Sequence, residues 1–159
     1  MSQELHKVDH AALKVNQATI ITLLIAAFVL NLPALVAGVA AVMTFGAATR
    51  QPGFKLLYAG LLKPRGWVKP EVLDDHPEPH VFAQGLGGVF LWASVLALFT
   101  NLAGLGWGLA WLVVALAALN LFLGFCVGCA VYYWLNRLSV PGFAKTPPAN
   151  TFPGMRPRA

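Results

Sequence analysis

The sequence predicts an all-α integral membrane protein with four transmembrane helices, arranged as two hairpins. Three observations carry that prediction. The chain is 58% hydrophobic and only 11% charged, against roughly 25% charged residues in a soluble domain. Two long runs carry no charge at all, Val15–Thr49 and Val81–Asn136. The basic residues then cluster in the three segments that those runs leave over.

Each run is too long for one crossing of a hydrocarbon core about 30 Å thick, at about 1.5 Å per helical residue. The first breaks at Asn31-Leu32-Pro33, because proline lacks an N–H, disfavours helix at its predecessor and fits the start of a new one. Helices are expected near 12–31 and 33–49. The second run breaks within Thr100–Gly106, where asparagine and glycines signal a turn. Helices near 82–100 and 107–135 follow. The last is longer than a crossing requires, so it should tilt or protrude. Trp107 and Trp111 at its start and Tyr132, Tyr133 and Trp134 at its end stand where interfacial aromatic belts form.

Topology follows from charge. Lys7 and Lys14 precede the first helix; Arg50, Lys55, Lys63, Arg65 and Lys69 lie in the central loop, 50–81; Arg137, Lys145, Arg156 and Arg158 follow the last. Four crossings put all of them on one face. The positive-inside rule assigns that face, with both termini, to the cytoplasmic side of the inner membrane of a multi-pass protein. The net charge of +5 is thereby accounted for without nucleic acid. No charged leader with a small-residue cleavage site is recognised at the N-terminus, so no removable signal peptide is expected.

In the central loop Phe54, Leu57, Tyr58 and Leu61 recur at helical spacing, which predicts a short helix lying at the cytoplasmic interface. Beyond it, His76 and His80 stand four apart among Asp74, Asp75 and Glu78, a donor set suited to a borderline metal. Pro77 and Pro79 argue against a regular helix there, so a solvated acidic loop is expected and the two histidines are weak metal candidates. His6 and His10 carry no pattern. No histidine and no charged residue falls inside the four expected spans, which speaks against a proton or ion pathway and calls for no cofactor. The tail, 138–159, is Pro-rich and without amphipathic period, a composition suited to lying across partner surfaces.

The only two cysteines stand in Gly124-Phe-Cys-Val-Gly-Cys-Ala-Val-Tyr-Tyr133. On one continuous helix Cys126 and Cys129 share a face, with Cβ atoms roughly 5–6 Å apart, within reach of a disulfide. Asn120, Gly124 and Gly128 fall on the opposite face as a seam of small residues for helix packing in lipid. Apolar surroundings make a thiol inert, and no basic residue lies near enough in sequence to activate the pair. Yet Cys-x-x-Cys is the spacing of dithiol relays. Ala130 after the second cysteine excludes c-type haem attachment, and two thiolates alone do not complete a zinc site.

The segments Pro77-Glu-Pro-His-Val-Phe-Ala-Gln-Gly-Leu-Gly-Gly88 and Ala118-Leu-Asn-Leu-Phe-Leu-Gly-Phe-Cys-Val-Gly-Cys-Ala-Val-Tyr132 resemble a bacterial membrane family labelled domain of unknown function (DUF4395). The likeness is best from about residue 63 to 137. The family is similar in its four helices, a Phe-Ala-Gln motif entering the third and an Asn…Gly-Phe-Cys-x-Gly-Cys motif in the fourth. It often carries an acid after the second cysteine, where this chain has Ala130. Association of some relatives with thioredoxin-like or sulfurtransferase proteins implies thiol or sulfur relay. Two functions are thus expected. One is a small accessory subunit of a larger membrane complex, an electron-transfer assembly for instance, with other membrane subunits and lipids as partners. The alternative is a membrane thiol–disulfide or sulfur relay, with Cys129 as the shallower, attacking thiol, Cys126 resolving, and a thioredoxin-like partner.

Overall fold

The computed structural model describes residues 6–148 and 150–157; Arg158, one of the basic residues counted above, lies outside them. Among the described residues the chain is mostly helical, with six α-helices and one two-stranded sheet. In chain order these are β1 His6–Asp9, α1 His10–Val29, α2 Pro33–Ala48, α3 Lys55–Leu57, β2 Val72–Asp75, α4 Pro77–Phe99, α5 Ala103–Leu123 and α6 Val127–Arg137. A π-helical turn, Tyr58–Leu62, continues α3.

Three helices, α1, α4 and α5, are long and apolar enough to cross a membrane, and the chain is a membrane protein on that ground. Their outer faces are apolar: Leu96, Phe99 and Phe122 are all more than 65% exposed, a surface suited to lipid. The 16-residue α2 reaches about 24 Å at 1.5 Å per residue. Leu24 of α1, Val36 and Val39 of α2, Leu91 of α4 and Val113 of α5 pack into one core.

The hairpin turns fall where asparagine and proline predict them. Asn31 and Asn101 take left-handed backbone, with φ of 49° and 61°, a conformation asparagine tolerates better than most residues. Pro33 then opens α2, where a missing N–H costs nothing. The helix expected from 107 starts at Ala103 instead, because Gly104 and Gly106 are helical. Gly106 is there for close approach: a Cβ on it would lie 2.5 Å from Leu98 Cγ, and Ser94 Oγ donates to its carbonyl at 2.7 Å.

Two expectations fail more instructively. Helix α4 begins at Pro77, not near 82, because Pro77 and Pro79 occupy its first turn, whose N–H groups have no intrahelical partner to lose. The segment expected to be a solvated acidic loop is β2, paired antiparallel with β1 in the register His6↔Asp75 to Asp9↔Val72. The chain is therefore not wholly α. The last expected helix, 107–135, is also not continuous. Gly124 closes α5 with φ +66°, a left-handed cap that glycine adopts without strain, and α6 starts anew at Val127.

The end of the molecule that holds the sheet is tied by polar contacts. Asp9 caps α1 by accepting from Ala11 N at 3.0 Å, and it also accepts from Glu71 N at 3.1 Å and Tyr58 Oη at 2.7 Å. Burial, then the bond to Asp9, pushes the Tyr58 phenol up to about 12. Lys14 of α1 donates to Glu71 just before β2. The expected helix in the central loop exists as α3 and its π-helical turn, with Tyr58 buried and Leu56 exposed.

Of the expected aromatic belt at the end of the last helix, only Trp134 is exposed. Tyr132 and Tyr133 are buried with both cysteines: the new helix phase after Gly124 turns Tyr132 onto Phe82 and Phe143, and Tyr133 packs edge to face on Tyr132. Gly128 permits this packing, since a Cβ there would lie 2.5 Å from Ala83 Cβ. Gly128→Ala is expected to lower the unfolding free energy by about 1–3 kcal/mol through overpacking. Gly108→Ala, where a Cβ meets nothing within 4 Å, should instead stabilise α5 by up to about 1 kcal/mol. Denaturant titration in detergent reads both, and equal effects at the two positions would contradict the close-packing account.

Candidate functional site

The break at Gly124 decides the chemistry of the cysteine pair. Cys126 has extended backbone and is the N-cap of α6; its Sγ accepts from Cys129 N at 3.2 Å. An N-cap sulfur faces the unpaired N–H groups and positive pole of the helix, which favour a thiolate. On the expected continuous helix neither sulfur would have had that environment. The two cysteines form a disulfide, with Cα atoms 5.2 Å apart. Cys126 is 7% exposed and Cys129 3%.

Cys129 is joined to a buried polar group that sequence spacing does not reveal. Its Sγ lies 3.5 Å from Nδ1 of His80, in the first turn of α4. His80 Nε2 lies 2.9 Å from Asp75 Oδ2. The same carboxylate oxygen has His10 Nε2, at the start of α1, 3.2 Å away, and the two imidazoles meet edge to face at 5.6 Å. Asp75 Oδ1 accepts from His76 N at 2.7 Å. Burial alone would raise the Asp75 carboxyl, but His10, His80 and the His76 N–H together outweigh it and hold the group below the usual carboxylate range.

This arrangement fixes a tautomer. An ionised Asp75 accepts the proton on His80 Nε2, which leaves Nδ1 with its lone pair facing Cys129. Such an imidazole is placed to accept the Cys129 proton as the disulfide forms and to give one to the Cys129 thiolate as the disulfide is reduced. Two donor sets suited to a metal also converge: His80 with Cys126 and Cys129, and His10 with Asp75 and His80, the donors of each set lying within 4.8 Å of one another. The sulfurs of the first set are free to ligate only as thiolates.

The Pro-rich tail covers the site. Cys126 N donates to Gly154 O at 2.7 Å and Arg156 N to Gly124 O at 2.9 Å, so Phe125 and Met155 form an antiparallel bridge. The Arg156 guanidinium reaches Asn120 O at 3.3 Å. Further back, Phe143 stacks edge to face on Phe82 and Tyr132, and Lys145 Nζ stands 3.8 Å from Glu78.

The model of the family described as Domain of unknown function (DUF4395) matches residues 8–137. The chain belongs to this family. No curated protein and no solved structure matches it.

Within this DUF4395 chain the residues singled out from sequence fare unequally. Cys126 and Cys129 come together. His80 joins them as a partner of Cys129, not as a loop residue. His76 is buried as the N-cap of α4, its Nδ1 without a hydrogen bond; burial, then the positive field of Lys145, holds its pKa down. Asn120, Gly124 and Gly128 do not form one seam, because they stand on α5, at its cap and on α6. Asp75 enters the sequence reading only as one of the acids around His76 and His80, and His10 as a residue without pattern; their pairing with His80 is not legible there. The expectation that no histidine lies in a span also fails, since His10 opens α1 and His80 lies within α4.

Two outcomes follow. Asp75 has a depressed carboxyl, so its contribution to stability is present above the unfolded value of about 3.9 and is lost as pH falls through the folded one. Thermal unfolding in detergent should show the wild type losing stability below about pH 4, whereas Asp75→Asn, weaker by about 1–3 kcal/mol at pH 7, loses less over that range. Gly154 has φ +88°, and a Cβ on it would lie 2.8 Å from Cys126 O. Gly154→Val should therefore lift the tail and speed reduction of the disulfide by a small water-soluble phosphine. An unchanged rate would show that the tail does not shield the pair.

Proposed function

We propose that this chain is a membrane thiol–disulfide oxidoreductase whose redox centre is Cys126 and Cys129. The observation that carries this reading is the contact of Cys129 Sγ with His80 Nδ1, backed by the buried Asp75 carboxylate on the other ring nitrogen. A disulfide kept for packing has no use for a proton acceptor at bonding distance, itself oriented by a second buried group.

The geometry favours an order of attack opposite to that expected from depth alone. Both cysteines are buried, but Cys126 is the one whose sulfur caps the helix N-terminus, so it is the thiolate that meets a substrate. Cys129, deeper and beside His80, resolves. In the exchange a substrate thiol gives its proton to His80 Nδ1 and its thiolate attacks Cys126 Sγ; the Cys126–Cys129 bond breaks, and the leaving Cys129 thiolate takes that proton from His80. A second substrate thiolate then displaces Cys126. The substrate leaves as a disulfide, and the pair retains its two electrons as a dithiol. A thioredoxin-like dithiol protein is a substrate of the right chemistry.

Four crossings remain the reading that charge placement supports best, with α2 as the shortest and the break before α6 within the last. Both termini, the central loop and the site then lie on the positively charged, cytoplasmic side of the inner membrane, and α3 lies at that interface. The accessory-subunit reading drew on a tail that needed a partner surface. The tail bonds to the Cys126 segment of its own chain, so no particular observation now favours that reading.

Alkylation tests the assignment. In Cys129→Ser the Cys126 thiol should react with iodoacetamide with a midpoint below the ordinary thiol value of about 8.5, and it should form a stable mixed disulfide with a reduced-and-activated thioredoxin-like protein. In Cys126→Ser the remaining thiol should be slower at every pH and give no such adduct. Equal reactivity of the two variants would sink the proposed order. Failure of both variants to form an adduct would sink the exchange itself.

A further inference from the structure

A cavity of about 310 Å³ lies against the disulfide. It is built mainly from α1, α4 and α5, the three helices long and apolar enough to cross a membrane, and Cys126, Val127 and Gly128 close one side. Most of its wall is apolar, with Ile20, Phe90 and Leu116 among the lining residues. Its volume is at the lower end of the range, about 300–1,000 Å³, that holds small organic ligands.

Its polar groups are few and of a particular kind. His80, the residue that touches Cys129, also lines this cavity. Gln17 lines it from α1, and its Oε1 is buried with no hydrogen-bond partner. A buried amide oxygen left unpaired is destabilising, and a ligand hydroxyl would satisfy it. Asn16 and Gln84 also line the cavity, but Asn16 Oδ1 is held by Phe54 N and the Gln84 amide by backbone at Gly53, Met43 and Gln51. Asn120 lines it as well, so the polar groups that face a ligand are the His80 imidazole at the redox pair and the amides of Gln17 and Asn120, of which the Gln17 Oε1 is buried and unpaired.

We propose that this cavity binds a membrane quinone, which reoxidises the Cys126–Cys129 dithiol. The inference rests on the thiol–disulfide reading above and names its electron acceptor. A dithiol that has been reduced by substrate must pass on two electrons and two protons, and a ligand entering between lipid-facing helices must itself be lipid-soluble. A quinone meets both conditions with one molecule. In the step both S–H bonds break and one S–S bond forms. The two electrons enter the ring and the two protons go to its oxygens, giving the quinol. His80 Nδ1 takes the Cys129 proton and passes it to the ring oxygen on its side, and Gln17 Oε1 accepts from the hydroxyl formed on the other.

The test uses the full chain in lipid nanodiscs, reduced and freed of reductant without oxygen. The probes are a fully substituted decyl benzoquinone and, separately, bis(2-hydroxyethyl) disulfide as a small linear disulfide. Quinol formation is followed by absorbance and disulfide formation by mass. The wild type is expected to form one quinol per disulfide. In Leu116→Trp, which fills the cavity, and in Gln17→Leu, the rate with quinone divided by the rate with the small disulfide should fall at least tenfold. That ratio cancels any loss of folded protein. A pair that exchanges with the small disulfide but is not oxidised by quinone would overturn this inference and leave the thiol–disulfide reading standing. A pair oxidised by neither would overturn both. An unchanged ratio in both variants would show that quinone reacts elsewhere than in this cavity.

Discussion

A carboxylate that is almost fully buried has to be compensated, and in this chain the means of compensating Asp75 organise one end of the molecule. The charge costs several kcal/mol to desolvate, and its partners come from different places: His10 from the start of α1, His80 from the first turn of α4, and the His76 N–H from the turn between β2 and α4. None of these can move independently while the carboxylate stays paired. The β1–β2 sheet delivers Asp75 to that position, because its register sets Asp75 opposite His6, and four residues on from His6 the chain has reached His10. The entry angles of α1 and α4 are thus set by one charge, and through His80 so is the position of the only imidazole at the cysteine pair.

The second constraint is the interruption of the last helix. A break leaves backbone groups without helical partners, which is tolerable near lipid only where other protein groups supply them. The tail does so here: Gly154 O receives the Cys126 N–H, and Arg156 N–H meets Gly124 O. The Pro-rich segment after α6 is therefore part of the site's structure, even though it has no fold of its own. Gly154 suits this role because its φ is positive and because the nearest atoms leave no room for a Cβ. The break and the tail explain one another: without the tail the Gly124–Cys126 segment would carry unpaired polar groups, and without the break the tail would have nothing to bond.

How much of this was legible in the sequence depends on the range of the interaction. Uncharged runs punctuated by Asn31-Leu-Pro33 and Thr100-Asn101 placed α1, α2 and the end of α4 to within two residues, because span length and turn chemistry are local, whereas the last expected helix was divided into α5 and α6. The start of α4 was misjudged for a reason equally local. Two prolines look like a helix breaker, yet both fit in a first turn, and which outcome holds depends on whether β2 can present His76 as the cap. Gly124 had been read as a packing residue, since in an apolar run a glycine for close approach and a glycine for left-handed backbone look alike. The site was the least legible part. Cys129 and His80 are 49 residues apart and Asp75 and His10 are 65 apart, and no periodicity links such pairs. The one available signal was the co-occurrence of isolated histidines with a Cys-x-x-Cys pair in a chain poor in polar residues.

His80 is where the polar and the apolar halves of this molecule meet. One ring nitrogen faces a buried carboxylate fixed by the sheet, the other faces Cys129, and the ring lines a cavity among the lipid-soluble helices. Thiol exchange with a soluble partner requires access from water, whereas delivery of electrons to a lipid-phase acceptor requires that water be kept out. A single redox pair satisfies both only if it sits at the boundary, with separate approaches on its two sides. Cys126 touches both parts such a pair would need: its N–H bonds to the tail at Gly154 O, and it lines the apolar cavity. The proton is the harder part, since an exposed base would exchange freely with solvent and a fully apolar site would have none. In the proposed relay an imidazole held by Asp75 at the edge of the cavity would resolve this, because its Nδ1 faces Cys129 while its orientation is set by the carboxylate on its other nitrogen.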